Sequence, residues 1–217
     1  MVCMETVKRR RDMYAASTRQ ALIDAGLEFF AERGYGATSA EEVVQAAGLS
    51  RGALYHHFGG KPGLFEAIFD EQERAAVQRI VSEIEALADP WQQASRGVHT
   101  YLDVCCERNY REIVLRQGPI ALGWRRWREL DRQHFVGLLT THAATLVGNG
   151  IIVDRPPELV AASIYGSLAE LALTIADSDN TPRAHEHAGD IVSRLLQGLL
   201  VRPDTTAVCV AMKKYTH

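Results

Sequence analysis

Apolar residues recur every three or four positions along most of the chain and almost nowhere alternate, so the pattern predicts helices throughout. Leu22, Ala25, Gly26, Phe29 and Phe30 mark one face of a first helix that Gly34 stops. Two short segments follow, AEEVVQAA and RGALYHHF, separated by Gly48-Leu49-Ser50. A longer helix opens at Pro62, a residue suited to a first helical turn, and carries Leu64, Phe65, Ile68 and Phe69. Ile80, Ile84 and Leu87 extend its face to about Ala88, where Asp89-Pro90 breaks it. Beyond lie predicted helices over about Trp91–Glu107, Tyr110–Gln117 (cut by Gly118-Pro119), Trp124–Val147, Pro156–Ala176 and Pro182–Leu200. The last stretch, 203–217, has no amphipathic face and is expected to be disordered. The fold class is therefore all-α.

The segment Ala40–Phe58 carries the most local detail. Thr38 or Ser39 can cap its first helix, with Glu41 or Glu42 three residues on as the partner in a capping box. Gly48 stands where a left-handed residue ends that helix, and Ser50 is a natural cap for the next. Val43, Val44, Ala47, Leu49, Leu54 and Phe58 supply an apolar face for packing on a third helix. The second short helix leaves Arg51, Gly52, Ala53, Tyr55 and His56 outward. Small residues allow close approach to a surface, while basic and hydroxyl groups suit phosphates and base edges. This is the pattern of a DNA-reading helix-turn-helix, with Thr38, Ser39, Ser50, Arg51, Gly52, Ala53, Tyr55, His56 and Lys61 as candidate contacts. Tyr55 and Lys61 suit phosphates, whereas His57 suits either DNA or the neighbouring helix.

Three segments carry a resemblance: Ala25–Ser39, the block AAGLSRGALYHHF at Ala46–Phe58, and Lys61 with Leu64-Phe65. Together they resemble the N-terminal domain of the tetracycline-repressor (TetR) family of bacterial regulators, over about a quarter of the chain. Ala40 departs from the larger aliphatic usual there, and Pro62-Gly63 from the usual acidic-Ala pair; neither removes a group that DNA contact needs. The resemblance implies a three-helix, homeodomain-like head and a helical body that binds an effector and dimerises. The expected layout is a flexible basic arm at 1–17, the DNA-binding domain at 18–60, the ligand-binding and dimerisation domain at 61–202 and the tail at 203–217.

Charge changes this picture only locally. The net charge is −3, yet residues 1–61 hold eight Lys/Arg against seven Asp/Glu, and the remainder 16 against 20. The positive cluster Lys8–Arg11 suits either solubility or the minor groove, and any DNA binding should be strongly salt-dependent. A hydrophobic share of 47% is ample for a packed core. There is no unbroken run of about 18 apolar residues, and no apolar stretch follows the basic start as in a secretion signal. Cys3, Cys105, Cys106 and Cys209 lack zinc-site spacing, and adjacent cysteines on a helix point about 100° apart. No cofactor or metal is expected, and the setting expected is cytoplasmic, without a membrane.

Two helices have faces suited to a partner: Ala161, Ala162, Tyr165, Leu168, Ala169 and Ala172 on one, and Ile191, Leu195, Leu196, Leu199 and Leu200 on the other. Both stripes also suit the core of one subunit. The resemblance implies a four-helix dimer seam, and two-fold DNA sites call for a two-fold protein, so Ala161, Ala162, Tyr165, Leu168, Ala169, Leu195, Leu196 and Leu199 are the expected interface. Trp127, His134 and Leu138 share one face of their helix, which suits core packing or a cavity wall. The family places effectors among the middle helices, so Leu102, Cys105, Trp124, Trp127, His134, Phe135, Leu138 and Tyr165 are the candidate ligand contacts. Few polar groups accompany them, which favours a largely apolar small molecule.

Enzyme signatures are missing: no nucleophile elbow, no phosphate-cradling glycine loop, no paired Glu-x-x-His. The expected function is a ligand-responsive regulator, commonly a repressor, on a palindromic operator. The alternative is a helical dimeric adaptor or small-molecule carrier without operator recognition.

Overall fold

The computed structural model describes residues 2–201, with side chains from Met13 onward. The expected tail at 203–217 and the side chains of Lys8–Arg11 lie outside the described residues. Ten α-helices and one π-helical segment occur among those residues: α1 (Val2–Arg33), α2 (Ala40–Ala46), α3 (Arg51–Phe58), α4 (Lys61–Glu85), α5 (Pro90–Cys106), α6 (Arg108–Tyr110), the π-helical Arg111–Gln117, α7 (Gly118–Ala121), α8 (Trp124–Gly148), α9 (Pro157–Asp177) and α10 (Thr181–Gln197). The backbone of residues 2–17, expected to be an arm separate from the first helix, is helical and continuous with it. Nothing between Val2 and Arg33 except Gly26 opposes helix propagation.

Punctuation legible in the sequence sets most boundaries. Gly34 takes φ 86° and its N–H donates to Phe30 O at 3.0 Å, closing α1. The Asp89 carboxylate accepts the Trp91 N–H at 2.9 Å and starts α5. Gly150 (φ 64°) ends the turn after α8, and Asn180 Oδ1 accepts from Arg183 N at 3.2 Å to cap α10. A short antiparallel bridge, Ile152 with Leu200, ties the loop after α8 to the end of α10. The expected single helix at Tyr110–Gln117 is instead α6 plus the π-helical segment, and Pro119, expected as a breaker, sits in the first turn of α7. Three consecutive residues there, Ile113, Val114 and Leu115, are buried, so the segment is enclosed on most sides.

The chain forms two compact units. The first comprises residues up to Gln78 together with Val104–His134. Leu22, Phe30, Leu54, Leu64, Phe65, Ile68 and Phe69 are fully buried in it, and the rings of Phe30, Tyr35 and Phe65 lie 5.1–5.6 Å apart. Each such side chain stabilises the fold by about 1.5–3 kcal/mol through burial. Gln117 joins α1 to its following turn, donating to Phe30 O at 2.8 Å and accepting from Tyr35 N at 2.7 Å. Trp127 is buried and its indole N–H donates to Val114 O at 2.8 Å. It fits because Gly118 has no side chain: a Cβ there would stand 2.7 Å from Trp127 Cδ1.

This unit also buries two carboxyl groups, Glu73 and Asp131. Tyr110 donates its hydroxyl to Glu73 Oε2 at 3.0 Å, and the Asp131 carboxyl stands within hydrogen-bonding reach of Glu73. Burial, and then the neighbouring charge of Asp131, push the Glu73 carboxyl well above the usual carboxylate range, against the pull of the Tyr110 hydrogen bond. Folding thus favours protonated Glu73. Its stability contribution is full below the unfolded value of 4.5 and declines as pH rises toward the raised folded value. Glu73→Gln keeps an acceptor for Tyr110 and replaces the buried charge with an N–H. The variant should lose less stability than the parent between pH 5 and 8 and melt higher at pH 8, by about 2–4 °C for each kcal/mol recovered. Parallel melting-temperature profiles for the two proteins would contradict the assignment.

The second unit comprises Arg79–Asp103 and the residues from Phe135 onward. Ile80, Ile84, Val98, Leu146, Ile164, Ala172, Ile175, Val192 and Leu196 form its buried core, and α9 packs along α10. α9 is long and apolar enough by length and composition to cross a membrane, but nine of its residues are buried within the protein. It has the character of a core helix.

Candidate nucleic-acid interface and ligand cavity

The helix-turn-helix forms through local hydrogen bonds. Ser39 Oγ accepts from Glu42 N at 3.2 Å and Glu42 Oε2 accepts from Ser39 N at 2.8 Å, a reciprocal capping box. The Ser39 backbone N–H, and then its hydroxyl, which donates to Glu42 Oε2 at 2.7 Å, hold the Glu42 carboxyl below its ordinary range. Gly48 takes φ 66°, which lets Leu49 N–H reach back to Val44 O at 2.8 Å and turns the chain. Ser50 Oγ then accepts from Ala53 N at 3.3 Å, opening α3, and Gly59 (φ 72°) closes it. A cap of this kind contributes about 1 kcal/mol. Val43, Val44 and Leu54 are buried inward.

The outward face of α3 is free. Arg51, Gly52, Tyr55 and His56 are exposed, with Ala53 half-buried, and a Cβ on Gly52 would meet only Ser50 Oγ within contact range. His57 is half-buried, its ring 6.2 Å from Phe58 and 5.1 Å from His56. Arg51 is held ready at the helix start: its guanidinium pairs with Glu41 at 2.8 Å and donates to Tyr55 OH at 3.4 Å. The Tyr55 hydrogen bond, then Glu41, raise its already high pKa, so it remains a cation.

Two expected contacts have structural jobs instead. Thr38 is buried, and its hydroxyl, which donates to Gly34 O at 2.9 Å, finishes the end of α1; it presents nothing to DNA. Lys61 Nζ donates to Tyr35 O and Thr38 O, both at 2.9 Å, and lies 4.1 Å from the centre of the Tyr35 ring. It ties the turn after α1 to the start of α4. Only one ammonium proton is left for a phosphate, so Lys61 acts first as a strut beneath the interface.

The ligand candidates divide between the units. Phe135, Leu138 and Tyr165 line a partly open, largely apolar cavity of about 80 Å³ within the second unit, where Ile80, Ile84, Val98, Ile164, Leu168 and Leu196 join them. Water needs only about 10–15 Å³ of such space, so the cavity admits a small organic molecule. Leu102 and Cys105 are buried but do not line it. Trp124 is exposed, and Trp127 is buried against Val114 in the other unit. His134, on the same unit as Trp127, meets Asp70 Oδ1 at 2.9 Å. The shared face of Trp127, His134 and Leu138 is real as helical geometry, but α8 divides between the units after His134. His142, one of the few polar groups expected among the middle helices, is on the cavity wall, whereas Gln93, also on the wall, and Trp91, packed beside Ala143 and Leu146, were not singled out by spacing. An aromatic placed directly after the Asp-Pro helix start was the available signal for Trp91.

The expected interface also needs correction. Ala161, Tyr165, Leu168, Ala169 and Leu196 are buried within their own subunit, and Leu199 is packed against Ile152 and its neighbours. α9 is apolar nearly all round, so composition could not choose its outer face. Ala162 and Leu195 do face outward, together with Leu159 and Ile191, which are 64% and 49% exposed.

Residues 22–68 match the family described as "Bacterial regulatory proteins, tetR family", and residues 91–199 match "Tetracyclin repressor-like, C-terminal domain". A crystal structure of a TetR-family transcriptional regulator from Pectobacterium atrosepticum aligns with a TM-score of 0.80 at 31% identity, over 88% of this chain and 98% of that one. The transposon Tn10 TetC protein of Escherichia coli is 25% identical over 157 residues, 72% of this chain and 79% of its own. The HTH-type regulator AcrR of Shigella flexneri is 40% identical over 65 residues, 30% of each chain. Likeness thus spans both the capped helix-turn-helix and the helical body, and the chain belongs to the TetR family of transcriptional regulators, a DNA-binding protein rather than an enzyme.

Proposed function

We propose that the protein is a cytoplasmic repressor that binds a palindromic operator as a homodimer and is released by a small, largely apolar effector. The observation that carries the DNA half is α3: capped at both ends, backed by buried Leu54, with its outer face unobstructed. Ser39, Ser50, Arg51, Gly52, Ala53, Tyr55 and His56 are the proposed contacts. Two such helices in successive major grooves stand about 34–36 Å apart. The dimer face is proposed on the outward side of α9 and α10, around Leu159, Ala162, Ile191 and Leu195. The apolar cavity of the second unit supports effector binding. Release requires that the effector favour a form of the dimer that fits DNA poorly, since equal affinity for both forms shifts nothing.

Selection of bound duplexes from a random pool tests the reading. A two-fold symmetric consensus is expected, bound far more tightly than its scrambled version at physiological salt. Equal affinity for the two would refute specific operator binding.

A further inference from the structure

The cavity wall has a chemical bias that narrows the effector beyond the regulator reading, on which the inference rests. No charged side chain lines it. Its polar atoms include two acceptors with defined orientation. His142 Nδ1 lies 3.0 Å from Leu138 O. A carbonyl oxygen only accepts, so Nδ1 carries the proton, and in the neutral ring Nε2 is left as a bare acceptor. Nε2 has no partner among the described residues. Gln93 behaves alike: its amide nitrogen donates to Leu87 O at 2.7 Å, which leaves the amide oxygen as the unused group. The remaining wall is aliphatic and aromatic apart from the hydroxyls of Tyr101 and Tyr165, with the Tyr101 and Phe135 rings 5.2 Å apart.

A site of this kind rewards one type of ligand. An anion or cation would enter without a countercharge and lose its hydration. A wholly apolar molecule would fit but would leave the acceptors unpaired, which is costly once water is displaced. We propose that the effector is an uncharged, compact molecule carrying a hydroxyl donor, a phenol or alcohol, which hydrogen-bonds to His142 Nε2 or Gln93 Oε1 while its apolar body fills the space between Phe135, Leu138, Ile164 and Tyr165. Donor chemistry, rather than size, is then what selects the effector.

Three probes of one shape test this on the full-length protein: 4-propylphenol, 4-propylanisole and 4-propylbenzoate, titrated by calorimetry and by tryptophan fluorescence. The ether carries an extra methyl, so hydrophobic transfer alone favours it over the phenol. The phenol is expected to bind at least ten-fold more tightly than the ether, and the benzoate not measurably. His142→Phe should shrink the preference for phenol over ether measured in that same variant, with a thermal melt showing that it is folded; Gln93→Leu should act in the same direction. Equal affinity of phenol and ether, tighter binding of the benzoate, or a full phenol preference retained in both variants would overturn the proposal. Binding of selected duplex, measured on the same samples, tests the regulator reading separately. A protein that holds its operator yet takes the ether as tightly as the phenol refutes only the ligand class.

Discussion

Replacing Ile191 and Leu195 together with Glu should turn the protein into monomers and remove operator binding. Both residues lie on the outer side of α10, 49% and 44% exposed in the isolated subunit, while Val192 and Leu196 beside them are buried inward. A dimer seam on this face therefore takes four carboxylates, two from each copy. Each substitution forfeits the burial of the exposed half of a large aliphatic side chain, about 0.7–1.5 kcal/mol. It also places a charge in an apolar seam, where it is solvated poorly and repels its symmetry mate. A loss of at least a thousand-fold in dimer affinity follows. Operator affinity falls with it, because one head reads only one half-site. Light scattering with a thermal melt is the check. The melt guards against a trivial result: substitutions at exposed positions leave the subunit core intact, whereas Leu199, packed on the Ile152 cluster, would not be a clean choice. A parent protein that is monomeric at micromolar concentration, or a double variant that stays dimeric, rules out this interface.

What the sequence disclosed here was chiefly what neighbours in the chain decide. Ser39 with Glu42, Ser50 with Ala53, and the left-handed Gly48 act over three to five residues, so their chemistry stands in the local order of residues. The helix ends at Gly34, Asp89 and Gly150 were legible for the same reason. Properties fixed by distant packing were not. Lys61 has the position of a phosphate contact, yet two carbonyls more than twenty residues upstream in the chain claim its ammonium. Thr38 and Ser39 are both plausible caps in sequence, and only the folding of the chain over Gly34 turns one inward. Along α9, Ala161 and Ala162 are indistinguishable by type, one buried and the other exposed. Along α8, the change of unit after His134 separates Trp127 from Phe135 and Leu138, and helical periodicity carries no mark of such a change.

Arg51→Ala should nearly abolish operator binding while leaving the fold unchanged. Arg51 stands at the N-terminal end of α3, its ion pair with Glu41 on α2 and its contact with Tyr55 both at the surface. The surface pair contributes little to folding, because solvent competes for both partners. In the free protein Glu41 occupies the guanidinium, and a phosphate or a guanine edge must displace that carboxylate to make its own bidentate contact. One good contact of this type is worth about ten- to a hundred-fold in affinity. A two-fold complex uses it twice, so the loss expected is about a hundred- to ten-thousand-fold. Salt dependence identifies the partner. If Arg51 holds phosphate, the slope of log affinity against log salt should fall by about 2 for the dimer, with the loss uniform across duplex sequences. If it reads a base, the slope should change little and preference at one symmetric pair of positions should relax. Glu41→Gln provides the opposing arm. It frees Arg51 without removing it and subtracts a negative charge from the interface, so operator affinity should rise. An Arg51→Ala protein that binds the selected duplex like the parent would remove α3 from the role assigned to it.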